Sequence, residues 1–131
     1  MKFLVIGDSC LDVYIYCNCG RLCPEAPVPI LDINRVVKSE GMAGNTFRNL
    51  QRLTEECELI TNANTDEITK SRYVDEKTNH MFIRIDKTEK TERINLLTYA
   101  DKIRAADCVI VSDYDKGFLL EDDIAAIANM N

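Results

Sequence analysis

The sequence predicts an α/β fold, a parallel-type sheet with crossover helices that also carries a β-rich projection. Three observations point there. An apolar, β-rich run opens the chain and stops at Gly7-Asp8, and a second run of the same kind stops at Ser112-Asp113. Segments of helical period flank the second run on both sides, and helix, buried strand and helix in succession is the pattern of parallel strands joined by crossovers.

Each element follows from its residues. Lys2 to Ile6 reads as a buried strand that ends in a functional loop. Val13 to Cys17 and Val28 to Val37 carry β-branched and aromatic residues in partial alternation, which predicts two strands. Between them lies Cys23-Pro24-Glu25-Ala26-Pro27-Val28-Pro29, whose prolines donate no backbone hydrogen bonds, so this part belongs at an edge or protrusion. Gly41-Met42-Ala43-Gly44-Asn45 interrupts the pattern, and Phe47, Leu50 and Leu53 then recur at helical spacing, so a helix is expected from about Thr46.

A short strand is expected over Glu58 to Thr61, then a polar surface connection over Asn62 to Lys70. Ser71 to Asp75 and Met81 to Asp86 read as a hairpin with the polar tip Glu76 to His80. Ile94, Leu97, Ala100 and Ile103 predict an amphipathic helix over Glu92 to Ala105. Leu119 to Met130 closes the sequence as a helix, with Glu121, Asp122 and Asp123 in the first turns where the dipole favours acids.

Composition narrows the function. The 131 residues are 46% hydrophobic and 29% charged, which suits a single domain over 1–131. A net charge of -6 supplies no broad field for phosphate backbones, so nucleic acid is not an expected partner. No apolar run approaches the ~20 residues of a membrane helix, and the opening residues do not form a signal peptide, so the expected location is cytoplasmic and no membrane partner is expected. In that compartment the six cysteines read as reduced thiols. Cys17, Cys19 and Cys23 lack the C-x2-C pair and nearby histidine of a zinc site, so no metal is expected; on a strand, Cys17 and Cys19 would share a face.

Two loops stand out chemically. Asp8 and Asp12 follow the first buried strand, while Asp113 and Lys116 follow the second, and ligands of open α/β sheets collect at such carboxyl ends. Carboxylates there suit sugar hydroxyls, and Lys116 suits a phosphate; the same loops also read simply as turns. Gly41, Ala43 and Gly44 before Asn45 offer close backbone approach at a helix start, without the G-K-[ST] of a P-loop or a dinucleotide fingerprint. Gly7-Asp8-Ser9 also matches the nucleophile block of GDSL-type hydrolases, a remote alternative, because the only histidine, His80, falls in the hairpin tip.

Gly7-Asp8-x-x-Leu11-Asp12, the run Arg21 to Pro29, Gly41-Met42-Ala43-Gly44-Asn45 with Arg48-Asn49-Leu50, and Val111-Ser112-Asp113-Tyr114-x-Lys116-Gly117 occur in the order seen in ribokinase/PfkB-family carbohydrate kinases. The chain resembles the N-terminal part of that family. P-E-A-P-V-P and S-D-Y-x-K-G are fairly specific to its heptose 7-phosphate kinase branch, and Leu53 to Ser71 looks shorter than the family usually has. The resemblance implies a truncated ribokinase-like fold with a β lid from segments of about 13–37 and 71–86, which would also make a homodimer.

It further implies that Asp12 and Asn45, beside the small-residue loop at Gly41, bind sugar hydroxyls, and that Arg84 and Lys116 contact phosphate. Met42 stands where the family prefers glycine, which would stiffen the loop. Full-length members use ATP and Mg, with a G-x-G-D base motif that this sequence does not contain. No cofactor, catalytic residue or phosphotransfer is therefore expected of the chain alone. A sugar or sugar phosphate is the expected ligand, with a complementing C-terminal half as a further partner at the open sheet edge. A non-catalytic oligomerisation module derived from a sugar kinase is the alternative.

Overall fold

The computed structural model describes residues 1–131. In chain order the elements are β1 (Phe3–Gly7), β2 (Ser9–Leu22), β3 (Pro29–Met42), α1 (Ala43–Gln51), β4 (Cys57–Ile60), β5 (Thr69–Asp75), β6 (Met81–Lys87), α2 (Leu96–Ala105), β7 (Cys108–Ser112) and α3 (Glu121–Met130). They make two sheets, a three-stranded one in the order β4-β1-β7 and a four-stranded one in the order β3-β2-β5-β6. No helix is long and apolar enough to cross a membrane.

The first sheet is parallel throughout, with β1 paired to β4 and to β7. Leu4 and Ile6 of β1, Ile60 of β4, Ile94, Ile103 of α2, Phe118, Leu119 and Ile127 of α3 form the main buried cluster. Each such side chain contributes roughly 1.5–3 kcal/mol on burial. Close strand approach at the carboxyl end depends on one glycine: a Cβ on Gly7 would stand 1.9 Å from the Ser112 carbonyl oxygen.

The second sheet is mixed. β2 runs antiparallel to β3 and parallel to β5, and β5 runs antiparallel to β6. The register puts Val36, Ile15, Tyr73 and Ile83 in one row on one face, and Asp12 beside Lys70 on the other. Val13, Ile15 and Cys17 are buried together on the first of these faces. The expected hairpin over residues 71–86 is therefore present as β5-β6, closed by the exposed segment around His80.

Several boundaries differ from expectation for definite reasons. β2 and β3 extend to a pairing of Ser9 with Met42, because the small residues there are enclosed and can continue the ladder. α1 accordingly starts at Ala43, not near Thr46, and the Ala43 amide donates to the Asp8 carbonyl at 2.9 Å. Residues 92–95 are not helical, since Thr91 and Ile94 donate their amides to Lys116 and Phe118; α2 starts after Asn95, whose side chain accepts the Leu97 amide. Cys17 and Cys19 do not share an environment: the register shifts beyond Tyr16 and again beyond Asn18, leaving Cys17 buried and Cys19 exposed.

The proline-bearing run behaves as its chemistry requires. It forms the exposed turn between β2 and β3, closed by the Cys23 amide on the Val28 carbonyl at 2.8 Å, and Pro29 opens an edge strand. β4 passes to β5 through a connection holding only one 3-10 turn, Thr65–Glu67, with no crossover helix.

Candidate functional site

The carboxyl ends of β1 and β7 meet at Asp8. This carboxylate is fully buried, and its Oδ2 accepts the Tyr114 amide at 2.8 Å and the Lys116 amide at 3.3 Å. Its Oδ1 has no partner. Burial pushes the Asp8 carboxyl above the usual range, and the neighbouring Asp113 carboxyl adds to this, while the two amides pull it back. Asp8 thus fastens the loop after β7 to the end of β1, and is enclosed where the sequence alone suggests a ligand contact.

Asp12 lies on β2, facing the opposite way from Val13 and Ile15. Its Oδ1 accepts from Arg72 Nη1 at 2.7 Å, across the parallel β2-β5 pair. Its Oδ2 lies over Gly41, where a Cβ would come within 2.4 Å of it. The Arg72 guanidinium stands 5.0 Å from the Tyr14 ring centroid, and Lys70 Nζ is 5.6 Å from the Tyr114 ring centroid, linking the second sheet to the loop of Asp113 and Lys116. Thr46 of α1 and Ser112 of β7 approach hydroxyl to hydroxyl at 3.4 Å, so the first turn of α1, with exposed Asn45, borders the same region.

The structure therefore gathers Asp12, Gly41 and Arg72 on the second sheet, and Asp8, Asp113 and Lys116 at the end of the first. Asp113 is exposed and accepts the Asp115 amide. Arg84 sits on β6 in a two-pronged pair with Asp86, at 2.7 and 2.5 Å, so its charge is already matched. That contact holds the Asp86 carboxyl below the usual range. Three of the acids here carry partners: Asp8 accepts backbone amides, Asp12 pairs with Arg72 and Asp86 pairs with Arg84.

Sequence reasoning passed over Arg72, Lys70, Tyr14 and Tyr114. The available signal was the period of two along β5, which puts Lys70 and Arg72 on one face, and along β2, which puts Tyr14 with Asp12. Ser9 and His80 are not brought together. The Ser9 hydroxyl is buried and accepts from Thr61 at 2.7 Å, whereas His80 follows Asp75, the partner of Cys17, about 26 Å further along β2 at ~3.3 Å per residue.

Comparison with known structures identifies the fold. The fold matches a carbohydrate kinase from Agrobacterium tumefaciens, with a TM-score of 0.59 and 16% identity over 99% of this chain and 50% of that one. It also matches a putative phosphofructokinase from Staphylococcus aureus, with a TM-score of 0.60 and 14% identity over 99% of this chain and 49% of the other. The chain therefore has the expected ribokinase-like α/β fold, shared with these kinase structures.

Its sequence relatives are bifunctional HldE proteins. The one from Helicobacter acinonychis is 35% identical over 162 residues, covering 98% of this chain, and the one from Nitratiruptor sp. is 29% identical over 152 residues, covering 92%. The chain spans only 35% and 32% of the length of these two relatives. No family model matches it.

Proposed function

We propose that this carbohydrate-kinase-like domain binds a sugar or sugar phosphate against Asp12, in the space between the second sheet and the loop after β7, as a heptose 7-phosphate kinase would, and does not transfer a phosphoryl group by itself. One observation carries the reading: the Asp12 carboxylate is held over Gly41 on the polar face of the sheet, with Lys70 reaching toward Tyr114 of the β7 loop. The partly exposed Asp12 carboxylate, with one oxygen on Arg72, has lone pairs to spare for hydroxyls. Lys70 and Lys116 sit in no ion pair within 4.0 Å and are available to an anionic group, with Asn45 at the border. Phosphoryl transfer needs a positioned nucleotide and charge stabilisation, and the sequence holds no G-x-G-D to supply the base.

Calorimetric titration with heptose 7-phosphate and, separately, with ATP tests this. Sugar-phosphate binding that is lost in Asp12→Ala and weakened in Asn45→Ala supports the site, and undiminished binding in both removes it. ATP binding, or kinase turnover by the purified chain, contradicts the inactive reading.

A second reading is a non-catalytic module that pairs with itself through the second sheet, acting as a lid. Val36, Ile83 and Ile85 favour it, being 50%, 51% and 51% exposed on the face away from Asp12. A dimer by sedimentation that dissociates in Ile83→Lys supports it; a monomer at all concentrations ends it.

A further inference from the structure

Arg72 belongs to none of the sequence motifs, yet it makes the one ion pair of Asp12. The two side chains are 17% and 22% exposed, so the pair is partly withdrawn from water and keeps its geometry better than a surface pair does. Arg72 Nη1 also donates to the Lys70 carbonyl at 3.3 Å, and the guanidinium lies against Tyr14, so its own position is fixed from two further sides. The opposite Asp12 oxygen is confined by the missing side chain of Gly41. Three strands, β2, β3 and β5, thus hold one carboxylate in one orientation.

We propose that Arg72 is the positioning residue of the sugar site: it acts through Asp12, keeping the carboxylate turned so that its unshared lone pairs meet ligand hydroxyls. This rests on the reading of Asp12 as the hydroxyl-binding group. A free aspartate on a strand would divide its time among rotamers, and a ligand would have to select one of them. Lysine could keep the charge but not the planar guanidinium that lies 5.0 Å from the Tyr14 ring centroid.

The test is calorimetric titration of the full chain with heptose 7-phosphate, using the parent, R72M, R72K, G41A, D12N and the D12N/R72M double variant. The expected result is a loss of about ten- to a hundred-fold in R72M, partial recovery in R72K, and a comparable loss in G41A with Arg72 intact, since misplacement of about 1 Å has effects of that order. In the D12N background R72M should add nothing, because its effect passes through Asp12. R72M binding within twofold of the parent, or an R72M loss that multiplies onto that of D12N, overturns the inference while leaving the function standing. A parent that binds no sugar phosphate overturns the function and the inference together. If R72M does not fold, as judged by circular dichroism, G41A decides: unchanged affinity there is equally fatal.

Discussion

The Asp8 carboxylate holds the Tyr114 amide at 2.8 Å across 106 positions of sequence, and it does so with no water contact and with its second oxygen unpaired. A buried carboxylate kept beside Asp113 carries a cost whenever it is ionised. Its folded-state pKa lies above the unfolded value, so its contribution is fully present below the unfolded pKa and declines as pH rises through the raised one.

Asp8→Asn therefore should stabilise the chain near neutral pH by about 1 kcal/mol. The amide oxygen can still accept both backbone N–H groups, and the amide nitrogen can donate toward Asp113. Urea denaturation should show the gain at pH 7 and its disappearance as pH falls toward 4. Equal stability changes at both pH values would show that the charge of Asp8 is not the cause.

Met42 adopts φ 58 and ψ -128, a conformation that a glycine enters without strain, while its side chain is buried with Cys10 and Ile68. Both Met42→Gly and Met42→Ala should lose stability through lost packing. The order between them should reverse the usual one, with glycine the more stable by about 1 kcal/mol, since only glycine also releases the backbone strain. Thermal unfolding that ranks alanine above glycine would refute the strain.

Gly7→Ala places a methyl group 1.9 Å from the Ser112 carbonyl oxygen, which neither strand can vacate without breaking its pairing. A loss of about 3 kcal/mol, the upper end for overpacking, is expected in denaturant titration. A loss under 1 kcal/mol would mean that β7 moves easily away from β1.

Asp123 caps α3 by accepting the Leu120 amide at 2.9 Å and takes Arg93 on both oxygens at 2.8 Å. The Arg93 hydrogen bonds hold its carboxyl below the usual range. Because this folded pKa is depressed, the stability it contributes is present above the unfolded value and is lost as pH falls through the depressed one. Asp123→Ala should cost about 1–2 kcal/mol at pH 7 and proportionally less in acid. A cost that does not shrink as pH falls would assign the role of Asp123 to packing alone.

Much of this was legible from local pattern. β1 and β7 announce themselves as short apolar runs ending in Gly7-Asp8 and Ser112-Asp113, and the exposed proline turn follows from missing donors. What could not be read is what depends on partners distant in sequence. Residues 92–95 look helical by period, but their backbone is claimed by residues 116–118. β2 runs on through Ser9 because Met42 lies opposite, not because Ser9 favours strands. The same holds at the site: Asp12 was visible through its motif, while Arg72 matters only because β5 docks parallel to β2, a pairing that no local signal specifies.

The central position of β1 also bears on biosynthesis. It gains its β4 partner once residues 57–60 are made, but its other edge stays open until 108–112 emerge. At roughly 5–20 residues per second that interval lasts on the order of several seconds. Throughout it an uncharged Phe-Leu-Val-Ile-Gly edge stays unpaired on the nascent chain, an edge of the kind that other strands can join.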